Sequence, residues 1–278
     1  NLRVAKRLKG SGIKVFHYIP PQIWASRKWR IKGIKKYVDK VLCIFPFEPE
    51  IYQAENIDVH YCGHPLVKQL PPRADKEEFF KQHELDISRP LVSVFPGSRP
   101  LELKLFGERF IEAAKVLQKR HPELQVCISH APNLKDDIFD KYIKNTDFKV
   151  IKGENQALLS VSDSLILASG TVALEASLYQ IPMLIAYRGP WLLYLIYLLV
   201  RCIKRVSLPN IIMDEDIVPE LVQHKFSVEN ICYETEKNLY DKKHREWMIN
   251  ELAKVKEKLS DKYSAEEVAK CIKEELNR

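Results

Sequence analysis

Short apolar runs alternate along the chain with stretches of helical periodicity. In the N-terminal part, the apolar runs at residues 13–19, 41–45 and 59–62 predict strands, and a helical pattern covers residues 1–10. Further strands are predicted at residues 91–95, 124–129, 148–151, 164–168 and 182–187. Such short apolar strands, alternating with helices, are typical of parallel sheets that are covered on both faces.

The clearest helical pattern covers residues 101–120. The apolar residues of this stretch recur at the spacing of one helix face, which predicts a helix packed against a sheet. The predicted core positions are Leu103, Phe106, Phe110, Ala114 and Leu117.

Breaks in this alternation predict the domain organisation. Gly63-His64-Pro65 interrupts the pattern, and Pro71-Pro72 precedes a charged helix, which together indicate a linker. We therefore expect an α/β protein with doubly wound units at residues 1–66 and 67–226, followed by a helical tail at residues 227–278.

Composition adds that the chain has a sizeable core and a moderate positive charge. It has 278 residues, 46% of them apolar, and 44 Lys and Arg against 37 Asp and Glu give a net charge of +7. This excludes an intrinsically disordered chain. The six cysteines lack metal-ligand spacing and mostly stand in apolar runs, so we expect buried, reduced thiols in a cytosolic protein.

The longest apolar run, residues 191–200, has ten residues, whereas a membrane-spanning helix needs about 20. Arg188 precedes the run, and Arg201, Lys204 and Arg205 follow it. Two interpretations stay open: an apolar face that lies on an anionic membrane surface, or a buried helix with cationic ends. On the first, the membrane-contacting residues are Trp191, Leu192, Leu195 and Leu199.

A candidate anion site follows the predicted strand at residues 91–95. Gly97 and Ser98 form a turn before a helix that begins near Pro100, and Arg99 adds a planar cation. The free N–H groups and the positive dipole end of a helix favour an anion, and a guanidinium pairs well with a diphosphate. Glu102 is placed to cap the first helical turn. An ordinary strand–helix turn with a solvated arginine is the alternative.

A second strand–helix turn follows residues 164–168. Ser169, Gly170 and Thr171 offer small side chains and backbone N–H groups, and Glu175 lies one turn into the next helix. A carboxylate there is able to accept hydrogen bonds from ribose hydroxyls. Alone, this turn is equally well explained as an ordinary helix start; together, the two turns predict a nucleotide cleft.

Other chemistries are not indicated. The eight histidines lack metal-ligand spacing, and the chain has neither a GxSxG nor a GxxxxGK[ST] motif. We expect no metal, no other cofactor and no nucleic-acid partner. A basic stretch at residues 27–36, with Trp24 and Trp29 nearby, is interpreted first as a solvated helix face, and otherwise as a site for lipid phosphate or nucleic acid.

Six motifs in order carry a family resemblance. They are YIPPQIWA at residues 18–25, FPFE at 45–48, GHP at 63–65, PGSRxxE at 96–102, SGTxALE at 169–175 and SLPN at 207–210. The chain resembles bacterial lipid-A-disaccharide synthase, an inverting glycosyltransferase with two Rossmann-like domains (the GT-B fold). The resemblance runs from Asn1 to about Asn210, with one departure at Ser26, where the family usually has tryptophan.

The resemblance implies that UDP-2,3-diacylglucosamine and 2,3-diacylglucosamine 1-phosphate form a β-1,6 disaccharide and that UDP is released. It implies that Arg99 binds diphosphate, Glu175 binds ribose, and Ser169, Gly170, Thr171 and Asn210 bind the nucleotide sugar. It places the enzyme peripherally on the cytoplasmic face of the inner membrane and implies a homodimer. The acceptor phosphate is expected near residues 27–36.

The resemblance also implies that about the first hundred residues of the family's first domain precede Asn1. The general base is expected in that part, so residues 1–66 are a remnant of the acceptor-side domain and this chain alone is expected to be inactive. Two alternatives stay open. One is another UDP-sugar enzyme of the same fold, such as the peptidoglycan N-acetylglucosaminyltransferase or a UDP-GlcNAc epimerase; the other is an inactive nucleotide- or membrane-binding fragment.

Overall fold

The computed structural model describes residues 2–26, 28–144, 146–189, 204–259 and 262–277. These residues form two compact units. The first unit is built mainly from the described residues of Asn1–Leu70 and Lys256–Arg278. The second contains those of Pro71–Pro190 and Arg205–Val255.

The first unit contains a parallel sheet of three strands in the order β1-β2-β3. The strands are β1 (Phe16–Tyr18), β2 (Lys40–Cys43) and β3 (Val59–Tyr61). α1 (Leu2–Leu8) precedes the strands, and the helices that connect and follow them are α2 (Ile31–Tyr37), α3 (Glu48–Gln53) and α4 (Leu66–Gln69). Ile31 and Ile34 on α2 are buried in one cluster with Val41 and Tyr52, while the lysines of α2 face solvent.

The second unit contains a parallel sheet of six strands in the order β6-β5-β4-β7-β8-β9. The strands are β4 (Leu91–Phe95), β5 (Gln125–His130), β6 (Lys149–Lys152), β7 (Ser164–Ala168), β8 (Met183–Tyr187) and β9 (Glu220–Val222). The helices are α5 (Lys76–Gln82), α6 (Pro100–Arg120), α7 (Asp136–Ile143), α8 (Asn155–Val161), α9 (Val172–Leu178), α10 (Leu208–Met213), α11 (Val228–Tyr240) and, as far as Val255, α12 (Lys242–Lys258).

The strand order of this sheet defines where a ligand is expected. β5 lies beside β4, and β6 lies beyond β5. The chain then crosses to the other side of β4, where it forms β7. In open α/β sheets, ligands bind beyond the carboxyl ends of the strands at such a reversal. Val94 pairs with Ile166 and Phe95 with Leu167, so β4 and β7 end side by side.

The core of the second unit confirms the predicted face of α6. Leu103, Phe106, Phe110, Ala114 and Leu117 are all buried in one cluster with residues of the sheet. The aromatic rings of Phe106 and Phe110 also contact Phe226, with centroids 5.6 and 5.5 Å apart. The α/β fold with parallel sheets is thus as the sequence pattern predicts.

The stretch predicted as a helical tail is divided between the two units. Its first helix, α11, packs on α6 in the second unit, whereas α13 (Ser264–Leu276) belongs to the first. In the first unit the hydroxyls of Tyr18 and Ser264 lie 2.9 Å apart, and Lys40 pairs with Glu275 at 2.6 Å. These contacts attach α13 to the end of β1 and the start of β2.

Five of the cysteines lie in the described part of the chain, and all five are buried free thiols, as expected. Burial raises the pKa of Cys127 to about 12, which keeps this thiol protonated and unreactive.

None of the described helices is both long enough and apolar enough to span a membrane. The apolar run at residues 191–200, with its four predicted membrane contacts, lies outside the described residues.

Candidate functional site

Eight of the nine predicted binding residues lie around one cavity at the carboxyl ends of β4 and β7. The cavity has a volume of about 330 Å³. The turn after β4 contributes Gly97, Ser98, Arg99 and Glu102, and the turn after β7 contributes Ser169, Gly170, Thr171 and Glu175. The cavity therefore lies at the reversal of strand order, where the fold class places ligands.

The turn after β4 requires a glycine. Gly97 has φ +113°, a conformation that side chains disfavour, and a Cβ atom there would lie 2.5 Å from Cβ of Glu102. The absence of a side chain lets Glu102 fold back over the turn, where its Oε2 accepts a hydrogen bond from the Ser98 N–H at 2.8 Å. Asn133 Nδ2 donates to the Ser98 carbonyl at 2.7 Å and braces the turn from the side.

Arg99 precedes α6 and supplies the cation of the site. Its guanidinium Nη1 lies 3.0 Å from Glu102 Oε1, and its side chain is 76% exposed. An exposed pair of this kind contributes little to stability, so the guanidinium is available to a ligand at small cost. The 21-residue α6 adds the positive end of its dipole, and its first-turn N–H groups have no partner within the helix.

The turn after β7 is open and lined by small residues. Ser169 N–H donates to the Ala186 carbonyl at 2.8 Å, which continues the pairing of β7 with β8. A Cβ atom at Gly170 would meet nothing within 4 Å, so this turn leaves room for a ligand. Burial raises the pKa of Glu175, and a hydrogen bond from Gln156 Nε2 at 3.4 Å opposes that shift.

A third wall of the cavity was missed by the sequence analysis. It consists of Ser129 at the end of β5, Ala131 just beyond, and Asn155 and Leu159 on α8. The Ser129 hydroxyl donates to Asn155 Oδ1 at 2.6 Å. The signal for this wall was that Ser129 ends the predicted strand at residues 124–129 and that the Gly153-Glu154-Asn155 segment follows the predicted strand at residues 148–151.

Asn210 is the predicted binding residue that the structure does not bring to the cavity. It is fully buried on α10, where its Nδ2 donates to the Val218 carbonyl and to Glu220 Oε1, both at 2.9 Å. Its Oδ1 accepts from the N–H groups of Ile217 and Val218. Because every polar atom of this amide is already used, the described contacts give it the role of joining α10 to the segment before β9.

Comparisons with known proteins match nearly the whole chain to one family. Residues 1–275 match the family described as lipid-A-disaccharide synthetase. A curated lipid-A-disaccharide synthase from Coxiella burnetii is 36% identical over 273 residues, which cover 98% of this chain and 72% of that protein. One from Anaeromyxobacter dehalogenans is also 36% identical, over 94% of this chain and 69% of that protein.

The chain belongs to the lipid-A-disaccharide synthase family. It is therefore a glycosyltransferase of lipid A biosynthesis, and the family match does not favour the alternative of another UDP-sugar enzyme.

Solved structures show the same fold at low sequence identity. The UDP-GlcNAc 2-epimerase of Neisseria meningitidis, solved with UDP-GlcNAc, aligns with a TM-score of 0.64 at 13% identity, over 98% of this chain and 73% of that one. WaaG, a glycosyltransferase involved in lipopolysaccharide biosynthesis, aligns with a TM-score of 0.53 at 15% identity, over 96% of this chain and 79% of that one. These likenesses support the GT-B fold.

Motifs by which the chain resembles the lipid-A-disaccharide synthase family also meet in the first unit. Glu48 is buried, and its carboxylate accepts hydrogen bonds from Trp24 Nε1 at 3.1 Å and from the N–H groups of Ile44 and Phe45. Burial raises the pKa of Glu48, and the three N–H donors oppose that shift. The Phe45 ring lies 5.2 Å from that of His64. Three motifs that are distant in the sequence thus form one cluster after β2.

The basic stretch that was expected near the acceptor phosphate forms part of α2 and the turn before it. Lys28, Arg30, Lys32, Lys35 and Lys36 are all exposed. Arg27 lies outside the described residues. This arrangement has the form of a solvated helix face, and a role for it in binding the acceptor stays a prediction.

Proposed function

We propose that the cavity of the second unit binds the UDP group of a nucleotide-sugar donor, UDP-2,3-diacylglucosamine. The observation that carries this proposal is the convergence of two strand–helix turns at the reversal of strand order, one with a guanidinium and a helix N-terminus and the other with a carboxylate. A nucleoside diphosphate has complementary groups, because its phosphates are anionic and its ribose hydroxyls donate hydrogen bonds.

Each side of the cavity has a proposed role. Arg99 and the N–H groups at the start of α6 bind the diphosphate, and Glu175 accepts hydrogen bonds from the ribose. Ser169, Gly170 and Thr171 contact the donor through small side chains and backbone N–H groups. Asn210 is left out of this assignment because its amide is already fully hydrogen-bonded inside the second unit.

The proposed reaction is transfer of the glucosamine unit to 2,3-diacylglucosamine 1-phosphate with inversion at the anomeric carbon. The acceptor hydroxyl loses its proton to a general base and forms the new β-1,6 bond as the bond to the diphosphate breaks, and UDP leaves with the electron pair. Donors that are already oriented toward the place where charge develops stabilise such a transition state. Arg99 and the N-terminus of α6 supply them to the leaving diphosphate.

UDP binding by the purified chain tests the site. Calorimetric titration of the 278-residue chain with UDP is expected to show one site, and Arg99→Ala is expected to weaken it. Lys104→Ala is the matched control, because Lys104 lies exposed on the same helix and does not line the cavity. Equal affinities for the two variants would contradict the assignment of Arg99.

We further propose that this chain alone does not catalyse the transfer. No residue of the cavity is assigned as the base that deprotonates the acceptor hydroxyl, and the Coxiella relative is longer than the matched region, which covers 72% of it. Incubation with both lipid substrates is expected to release no UDP, while UDP binding is retained. Clear turnover would contradict this proposal and indicate a base within residues 1–278.

A peripheral position on the inner face of the bacterial inner membrane is also proposed. Both substrates carry acyl chains, and the run at residues 191–200 is apolar and flanked by cations. Apolar residues beside cations favour an anionic membrane surface. Association into a homodimer is a separate proposal, which sedimentation of the purified chain tests directly.

A further inference from the structure

The wall of the cavity formed by β5 and α8 has a different chemical character from the other two. The turns after β4 and β7 carry charged and small polar groups. This wall instead offers apolar surface from Ala131 and the buried Leu159, and its polar groups are the amide of Asn155 and the hydroxyl of Ser129. A planar nucleobase requires apolar contacts for its faces and a few hydrogen bonds for its edge.

The Asn155 amide is held in one orientation. Its Oδ1 accepts from the hydroxyl of Ser129, which is buried at the end of β5. With the oxygen occupied, the amide presents Nδ2, and no acceptor among the described residues contacts that nitrogen. Asn155 therefore offers N–H donors at the cavity, while its oxygen is already occupied by the Ser129 hydroxyl.

We infer that Asn155 determines base specificity by donating from Nδ2 to O4 of uracil. This inference rests on the proposed binding of a nucleoside diphosphate in the same cavity. Uracil has a carbonyl oxygen at position 4, whereas cytosine has an amino group there, which is a donor. An amide that presents N–H groups donates a hydrogen bond to the uracil oxygen. With cytosine, the amide N–H groups and the amino group are both donors and face each other.

The opposed donors are expected to weaken the binding of cytosine nucleotides. A polar group left unpaired in a site built for hydrogen bonding weakens binding, and discrimination of this kind exceeds what apolar contacts provide. Ser129 acts as a positioning residue, because it holds the amide in the orientation that discriminates.

The test is the ratio of the dissociation constants for CDP and UDP, measured by calorimetry on the 278-residue chain. The unaltered chain is expected to prefer UDP. Asn155→Asp replaces the donors with acceptors while the Ser129 contact is kept, and the CDP-to-UDP ratio is expected to fall by about tenfold, the change that one hydrogen bond of ordinary strength provides. The added charge near the phosphates affects both nucleotides alike and cancels in the ratio.

Two further variants separate base recognition from general damage. Arg99→Ala is expected to weaken CDP and UDP equally and leave the ratio unchanged. Asn155→Ala is expected to weaken UDP more than CDP, with a melting temperature close to that of the unaltered chain. An unchanged ratio in Asn155→Asp, with UDP still bound, would contradict the inference alone. Absence of UDP binding by the unaltered chain would contradict the proposed function as well.

Discussion

Glu102 lies 3.0 Å from the guanidinium of Arg99 through Oε1, while its other oxygen accepts the Ser98 N–H at 2.8 Å. The carboxylate thus contacts the two kinds of donor, guanidinium and turn N–H, that the proposed diphosphate needs. In the absence of a ligand, the Glu102 carboxylate is the anion that holds the Arg99 guanidinium and the Ser98 N–H in their orientations. A diphosphate that binds there competes with Glu102 for Arg99, and the exposed position of the guanidinium makes that exchange easy.

Replacement of Arg99 is expected to weaken UDP binding by about tenfold or more, because hydrogen bonds to charged groups contribute about 1.5–3 kcal/mol each. Arg99→Lys is expected to recover little of the loss, since an ammonium group is a point charge without the planar fork. In a complete synthase, Arg99→Ala is expected to cost about 3 kcal/mol in kcat/KM, as for loss of one charge-stabilising donor. A lysine variant with nearly unaltered affinity for UDP would contradict a bidentate contact between Arg99 and the diphosphate.

Gly97 and Gly170 are expected to respond differently to alanine. At Gly97 the new Cβ would meet Glu102 and φ is positive, so the turn must move. We expect Gly97→Ala to lower the free energy of unfolding by about 1–3 kcal/mol and to weaken UDP binding. Gly170 has open space, and Gly170→Ala is expected to change stability by less than about 0.5 kcal/mol. Urea unfolding of both variants measures the difference, and equal stability would contradict the close packing of Glu102 on Gly97.

The raised pKa of Glu175 predicts a pH dependence of UDP binding. Burial favours the protonated form, which accepts fewer hydrogen bonds from ribose. As the pH falls, the affinity for UDP is therefore expected to begin to decrease at a higher pH than it would if Glu175 had the pKa of an ordinary glutamate. UDP itself also titrates, so the comparison is with Glu175→Gln, which is expected to bind more weakly and to lack this decrease. Parallel pH profiles for the two proteins would show that Glu175 does not contact the ligand as a carboxylate.

The raised pKa of Glu175 makes stability change with pH in the opposite direction to UDP affinity. Because the folded state holds the Glu175 proton more tightly than the unfolded chain, this group lowers the free energy of unfolding as the pH rises through the usual range of a glutamate. Thermal melting of the ligand-free chain at several pH values is the matched control for the binding profile.

The apolar run at residues 191–200 is expected to contact lipid. Leu195→Glu together with Leu199→Glu is then expected to detach the chain from anionic vesicles without changing its melting temperature. Each fully buried leucine contributes about 1.5–3 kcal/mol, and each cation adds about 1 kcal/mol at an anionic surface. If the run packs in the protein core, the same substitutions bury unpaired charge and the melting temperature collapses. Vesicle co-sedimentation and thermal melting of the same variant distinguish these outcomes.

Most of the fold follows from local sequence patterns. Leu91–Phe95 and Ser164–Ala168 are strands at the bounds that their apolar runs predict, because fully buried parallel strands are apolar along most of their length. β9 was missed, since Glu220–Val222 is too short to show a pattern and, among the described strands, pairs only with β8. The division of the tail between the two units was also beyond prediction, because nothing in the periodicity of a helix specifies the sheet on which it packs.

The candidate site was predicted where one turn carries several informative residues. Gly97, Arg99 and Glu102 are close in sequence, and their chemistry is evident from their spacing. The wall of Ser129 and Asn155 combines residues that are 26 positions apart, and only the order of the strands brings them together. Asn210 shows the opposite case, because the hydrogen bonds of a polar residue in a recognisable motif are all used by the backbone around it and by Glu220.

The most direct test of the central claim is a crystal structure of the 278-residue chain with UDP. We predict that the diphosphate lies beside Ser98 and Arg99 at the start of α6 and that the ribose hydroxyls contact Glu175. We also predict that Arg99 no longer contacts Glu102. UDP bound elsewhere on the chain, or in this cavity with its diphosphate away from Arg99, would contradict the account.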